Sequence, residues 1–307
     1  MKKDFLSIQD LSLEEIYEIF ELADELRNIW REKKGEVFSY QPLQGKTLAL
    51  IFDKPSTRTR VSFEVAAYHL GAHPVFLSAQ DIHLGKSESL EDTARVISKY
   101  VDAVVIRTFG QEKVEKFAAF SDVPVINALS DLLHPCQALS DYYTLYRRKK
   151  LNQNIKFSYV GDGNNVCHSL ILGAAKLKVN LIVATPEKYK PKPFILKEIK
   201  EMQDKIKITQ DPKLAVDGAD VIYTDVWVSM GQEKEKKEKK EIFRPYQVNS
   251  SLLSLAKPDA LVMHCLPAHR GEEITDEVID GKNSIVLEQA ENRLHIQKAL
   301  LVKLMKG

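Results

Sequence analysis

Thr47-Leu48-Ala49-Leu50-Ile51-Phe52, followed by Ser56-Thr57-Arg58-Thr59-Arg60, decides the fold of this chain. The apolar run reads as a strand buried on both faces. The stretch from Val61 to Leu70, closed by Gly71, continues a helix over 57–70 that Ser56 is placed to cap. Hydroxyls and two arginines thereby meet the free N–H groups of a helix start. Such a point favours a compact dianion such as a phosphate, because the backbone donors and the helix dipole both attract negative charge. Arginine adds bidentate hydrogen bonds that lysine cannot match. Taken alone, the same residues also fit an ordinary capped helix with solvated arginines.

Outward from this stretch, short apolar runs alternate with helical patterns. Ser12 and Glu15 have capping-box spacing ahead of an apolar stripe, Ile16, Ile19, Phe20, Ala23, Leu26 and Trp30, with Lys33, Lys34 and Gly35 closing the helix. Strands are expected at 47–52, 74–77, 102–106 and 123–126, with helices at 57–70, 89–100 and 111–120. A second series places strands at 156–160, 180–184, 205–209, 219–224, 260–263 and 284–287, with helices at 165–177 and 193–203. Alternation of this kind predicts an α/β protein of two doubly wound parallel-sheet lobes, with the active site in the cleft between them. The expected division is 1–135 together with a C-terminal helical segment 290–307, and 136–289. The helical stretch Cys136 to Lys150 marks the boundary, and the last helix, Asn292 to Lys306, is expected to return to the first lobe.

Composition sets outer limits. A chain of 307 residues, 44% hydrophobic and 28% charged, is an ordinary globular sequence long enough for two cores. A net charge of +1 gives no basis for nucleic-acid or membrane-surface binding, so any anion site must be local. Cys136, Cys167 and Cys265 are widely spaced and odd in number, which predicts reduced thiols of a cytoplasmic protein rather than a disulfide or metal framework. The N-terminus lacks an apolar signal core, and no apolar run approaches a membrane span. The Lys/Glu-rich stretch Gln232 to Glu241 reads as a solvated loop or exposed helix.

Polar clusters fall where the predicted strands end. Arg107-Thr108-Phe109-Gly110 follows 102–106; Asn127 and then His134-Pro135-Cys136-Gln137 follow 123–126. Gly161-Asp162-Gly163-Asn164-Asn165 follows 156–160, Asp225 to Gly231 follows 219–224, and His264-Cys265-Leu266-Pro267 follows 260–263. Each has a plain counterpart: Arg107 as a surface arginine, His134 as a helix cap, Asp225 as a turn residue, Cys265 as a small core residue. Their shared position favours a site. Gly161-x-Gly163-x-x-Val166 resembles a dinucleotide fingerprint, but Val166 replaces the last glycine and Val183-Ala184-Thr185 supplies no acidic residue after the next strand. The glycines are instead expected to bring Asn164 and Asn165 into the cleft.

Taken together, these motifs resemble the ornithine carbamoyltransferases of the aspartate/ornithine carbamoyltransferase family over essentially the whole chain. Ser-Thr-Arg-Thr-Arg and His134-Pro135-x-Gln137 are similar to motifs shared by the superfamily. Asp225-x-x-x-Ser229-Met230-Gly231 and His264-Cys265-Leu266-Pro267 are similar to the ornithine-specific ones. The resemblance implies that Ser56, Thr57, Arg58 and Thr59 hold the phosphate of carbamoyl phosphate. It implies that Arg107, His134 and Gln137 bind the carbamoyl end, with Arg293 near the carbonyl. Asn165, Asp225, Ser229 and Met230 are implied for the amino-acid end of L-ornithine, and Cys265 and Leu266 for its side-chain amine and the carbamoyl group. Arg58, Arg107, His134, Cys265 and Arg293 form the implied catalytic set. His83 is implied to reach a neighbour's site in a homotrimer or a multiple of trimers. No metal or organic cofactor is expected.

Acceptors other than ornithine, such as aspartate, putrescine or an N-acylated ornithine, are disfavoured by the Ser-Met-Gly and His-Cys-Leu-Pro segments. A non-catalytic paralogue that binds phosphate ligands is disfavoured because each implied catalytic position is filled.

Overall fold

The computed structural model describes residues 3–32, 40–78, 88–202, 204–228 and 236–306. The chain divides into two compact units, Met1–Tyr143 with Asn292–Gly307, and Thr144–Glu291. Helix α1 (Leu13–Glu32) opens the first. Its start is the expected reciprocal cap: Ser12 N–H donates to Glu15 Oε2 (2.7 Å) and Glu15 N–H to Ser12 Oγ (3.1 Å). Ile16, Ile19, Phe20, Ala23 and Leu26 are buried along one face, as the spacing predicts. The closing residues Lys33, Lys34 and Gly35 lie outside the described residues.

β1 (Thr47–Phe52), α2 (Thr57–His69), β2 (His73–Ser78), α3 (Leu90–Ile97), β3 (Ala103–Arg107), α4 (Gln111–Phe120), β4 (Val125–Leu129) and α5 (Pro135–Arg147) follow. The four strands make one parallel sheet in the order β2-β1-β3-β4. Ala49, Ile51, Val104, Ile106 and Val125 pack on Ala94, Val114 and Phe117 of α3 and α4. The alternate residues Leu48, Leu50, Val105 and Ile126 are equally buried, so both faces are covered. This is why the strands read as unbroken apolar runs.

The second unit contains β5 (Lys156–Val160), α6 (Asn165–Leu177), β6 (Asn180–Ala184), α7 (Pro193–Glu198), β7 (Ile206–Thr209), α8 (Pro212–Val216), β8 (Val221–Thr224), α9 (Lys236–Phe243), α10 (Ser250–Leu253), β9 (Leu261–His264) and α11 (Asp276–Ile279). Its five strands are all parallel, in the order β7-β6-β5-β8-β9. The last helix, α12 (Val286–Met305), carries the chain back to the first unit. In each sheet strand order reverses once. It does so between β1 and β3 in the first, and between β5 and β8 in the second. Crevices beyond the carboxyl ends of such strand pairs are where open α/β sheets bind ligands.

Two expectations are corrected. Residues 284–287 do not form a strand: Ser284 makes a single bridge to Val262, and α12 begins at Val286. Ile285 and Val286 are buried while Leu287 is 79% exposed, a helical rather than an alternating pattern across a run that also fits a short strand. The Lys/Glu-rich stretch is not wholly solvated either. Residues 232–235 lie outside the described residues, but Lys239 on α9 is buried.

The turn after β5 depends on a close approach. Gly163 N–H donates to Tyr189 C=O at 2.9 Å, and a Cβ on Gly163 would lie 2.5 Å from both Tyr189 O and Pro191 N. Gly163→Ala should therefore lower stability by about 1–3 kcal/mol through backbone overpacking. At Gly218, where φ is +61° but the space is open, alanine should cost about 1 kcal/mol or less from backbone strain alone. Urea unfolding of the two variants checks this; a Gly163→Ala protein as stable as the parent would contradict the close approach.

Candidate active site

In the first unit the chemistry gathers beyond β1, β3 and β4. Ser56 caps α2 from an extended backbone, its Oγ accepting Thr59 N–H at 3.3 Å. That leaves the first N–H groups of α2 directed at whatever lies beyond the cap. Thr59 is buried, and its hydroxyl accepts a hydrogen bond from an Nη of Arg293 at 2.6 Å. Arg293 comes from α12 and is itself buried.

Arg107 ends β3, where the register against β4 shifts between Ile106 and Arg107. Its backbone is held by Asp53 N–H donating to its carbonyl at 2.8 Å. Its side chain is 6% exposed, and its Nε has no partner among the described residues. Burial, then the charges of Arg293 and Arg58, pull its pKa down to about 10, which still leaves it a cation at neutral pH. His134 is buried where α5 begins. Burial and then Arg293 and Arg107 push its pKa well below the usual histidine value, so the imidazole is neutral. Gln137 donates from Nε2 to Asp141 at 2.8 Å, and its buried Oε1 has no partner among the described residues.

A buried network fixes the approach to His134. Gln111 Oε1 accepts Asn127 Nδ2 (3.1 Å) and Ser130 Oγ (2.7 Å), and Ser130 Oγ in turn accepts Leu133 N–H at 3.0 Å. Thus Ser56, Arg58, Thr59, Arg107, His134, Gln137 and Arg293 belong to one unit, with Thr57 exposed at the start of α2. Lys54 joins the cationic set, although sequence reading passed over it. It is 7% exposed, its Nζ lies 3.6 Å from the centre of the Phe109 ring, and burial followed by Arg107 lowers its pKa. The signal was its position inside the strand-to-helix turn.

In the second unit hydrogen bonds, rather than like charges, organise the site. Asn164 caps α6: its Oδ1 accepts Val166 and Cys167 N–H at 3.0 and 3.1 Å. Its Nδ2 donates to Asp225 Oδ2 at 2.7 Å. Asp225, just beyond β8, also accepts the Cys265 thiol at 2.9 Å and Val226 N–H at 2.8 Å. Cys265 is half-buried beyond β9. Asn165 stands beside Asn164 as the first residue of α6. Both asparagines were expected in the cleft and the resemblance gave the substrate role to Asn165; Asn164 is the residue that holds Asp225, and its cap position was the available clue.

His264 and Glu273 shape the turn that bears Cys265 and Leu266. Leu266 N–H donates to His264 Nδ1 at 2.9 Å, which leaves the ring proton on Nε2, 3.0 Å from Glu273 Oε1. Both side chains are fully buried. Leu266 has φ +57°, a left-handed conformation leucine rarely adopts unless its surroundings impose it. Of the residues expected at the site, Ser229, Met230 and His83 lie outside the described residues.

This pairing of a cationic helix start with a carboxylate–thiol cluster on two parallel α/β units has counterparts among known proteins. Residues 3–147 match the carbamoyl-P binding domain, and residues 153–304 the Asp/Orn binding domain, of aspartate/ornithine carbamoyltransferase. The chain belongs to the aspartate/ornithine carbamoyltransferase family. It is 53% identical to the anabolic ornithine carbamoyltransferase of Pyrococcus furiosus, covering 99% of this chain and 97% of that one. Over the full length of both chains it is 52% identical to the ornithine carbamoyltransferase of Methanosarcina mazei. The solved Pyrococcus furiosus enzyme superimposes with a TM-score of 0.93, at 52% identity over 99% of this chain and 97% of that chain.

Because burial and two guanidinium groups hold His134 neutral, its NMR signals should stay flat from about pH 7.5 to 5.5, where a free histidine titrates. A midpoint near that of free histidine would contradict the electrostatic picture.

Proposed function

We propose that the chain transfers the carbamoyl group of carbamoyl phosphate to the δ-amine of L-ornithine, giving L-citrulline and phosphate. The observation that carries this reading is the division of chemistry between the units. The first buries Arg107 and Arg293 around a helix start, which suits a phosphorylated donor. The second offers the Asp225 carboxylate and the Cys265 thiol, which suit a cationic amino acid. Aspartate, with a second carboxylate, would be repelled by Asp225.

Ser56, Thr57, Arg58 and Thr59 take the phosphate. Arg107, neutral His134, Gln137 and Arg293 take the carbamoyl group. Asn165, Asp225, Ser229 and Met230 take the amino-acid end of ornithine, while Cys265 and Leu266 flank its δ-amine. An alkylamine has an ordinary pKa of about 10.4, so the attacking neutral form must be favoured by the site. Nearby guanidinium groups disfavour the ammonium. The amine adds to the carbonyl carbon, and negative charge grows on the carbonyl oxygen. Arg107 and His134 donate to that oxygen, each such donor being worth about 3 kcal/mol of barrier. The C–O bond to phosphate then breaks, and Arg58 with the α2 N-terminus stabilises the departing dianion. The phosphate accepts the amine proton, so no separate base is required.

The first unit then acts as the donor domain and the second as the acceptor domain. We assign the assembly as a homotrimer or a multiple of trimers, with His83 contributed by a neighbouring subunit, and the location as cytoplasmic. Among the described residues no helix is long and apolar enough to cross a membrane, in keeping with that location.

Arg58→Gly should cut citrulline formation roughly a thousandfold by removing phosphate and transition-state contacts. Unchanged turnover would refute the phosphate assignment, and a parent protein that prefers another amine in a substrate panel would refute the acceptor. Asn164→Asp retains a helix cap but sets a second carboxylate against Asp225. It should raise the KM for ornithine roughly tenfold, about 1.4 kcal/mol, with the KM for carbamoyl phosphate little changed.

A further inference from the structure

Among the described residues of the Lys/Glu-rich segment, one lysine is buried. Lys239, on α9, is 2% exposed, and its Nζ lies 2.6 Å from Oδ2 of Asp162, itself 6% exposed. The ammonium also lies 4.9 Å from the Tyr189 ring centre and 5.7 Å from that of Phe243. A buried ion pair of this kind is costly to form and sharply destabilising to break on one side. Its place in the sequence matters here. Asp162 belongs to the turn between β5 and α6, two residues before Asn164.

That turn is otherwise held by backbone contacts. The Tyr159 hydroxyl donates to Asp162 C=O at 2.8 Å, Asn164 N–H donates to the same carbonyl at 2.8 Å, and Gly163 N–H is held by Tyr189 C=O. Asp162 contributes the turn's one side-chain tether to α9 among the described residues. From Asn164 the linkage continues to Asp225 and then to the Cys265 thiol. At its other end α9 is fastened beside the same cluster, because Phe243 stacks on Trp227, two residues beyond Asp225, with ring centres 5.9 Å apart. Helix α9 therefore grips two of the three segments that supply the acceptor half-site.

We propose that the Lys239–Asp162 pair is a positioning device for the acceptor substrate, setting the Asn164–Asp225–Cys265 linkage although neither member touches the reacting atoms. The proposal rests on the carbamoyltransferase reading for its kinetic test, and on geometry alone for its chemical one. Burial moves the Asp162 carboxyl up to about 6 despite the neighbouring lysine, so the carboxylate is costly to leave without its cation. Loss of Lys239 thus strains the turn more than loss of both partners.

The test compares Lys239→Met, Asp162→Asn and the double variant with the parent. Lys239→Met should raise the KM for ornithine about tenfold while the KM for carbamoyl phosphate stays within about twofold. The double variant should recover part of that loss, because no buried charge remains unpaired. A readout independent of turnover is the rate of Cys265 alkylation by iodoacetamide, Cys136 and Cys167 being buried. With Asp225 no longer held against the thiol, Lys239→Met should react roughly threefold faster. Equal rises in both KM values, strictly additive effects, or an unchanged alkylation rate in a folded Lys239→Met protein would overturn the proposal. A parent that forms no citrulline would refute the functional reading instead, and the alkylation comparison would still decide the role of the pair.

Discussion

Two guanidinium groups, Arg107 and Arg293, are buried in one unit with the charge of Arg58 close enough to register on Arg107. Desolvating like charges together costs stability, so the scaffold must hold them by other means. It does so with rigid elements: Arg107 projects from the end of a central strand, and Arg293 from a helix that reaches the Thr59 hydroxyl. The proposed donor anion would recover that cost, since the same groups would then have a partner in a low-dielectric pocket. Burial, and then the same two guanidinium groups, keep His134 neutral. A neutral imidazole can donate one hydrogen bond to an oxygen without adding to the repulsion.

The second unit works on a different principle. Its polar groups are joined in sequence by directional hydrogen bonds, from Asn164 through Asp225 to Cys265. The turn bearing Cys265 is set by His264, whose tautomer follows from the Leu266 N–H bond and is locked by Glu273. Few net charges are needed because the acceptor brings its own. One unit stores electrostatic strain and the other stores geometry; the proposed reaction draws on both.

The inner strands β1, β3 and β8 were legible because they are buried on both faces and therefore read as largely apolar runs bounded by turn residues, whereas the edge strands β2 and β7 are only partly buried. The capped helix start was legible because Ser56 is a cap residue, with Arg58 and Arg60 following in the first turn. Ile285-Val286-Leu287 misled because three apolar residues fit a short strand and a helix start equally well, and only burial separates them. Lys239 was invisible because a buried lysine in a run of lysines has no mark of its own; Asp162, its partner, lies 77 positions earlier. Glu273 was hidden likewise, as one acid beside another, and only the fold shows which of Glu272 and Glu273 turns inward.

The bond between Thr59 and Arg293 joins positions 234 residues apart, so the first unit encloses the second within its own chain path. On a ribosome, residues 144–291 emerge complete, sheet and helices together, while the earlier-made unit still lacks its closing helix. The Thr59–Arg293 contact therefore forms only after residues 144–291 have been made. A nascent chain that has not reached Arg293 holds the Asn164–Asp225–Cys265 cluster without the Thr59–Arg293 contact.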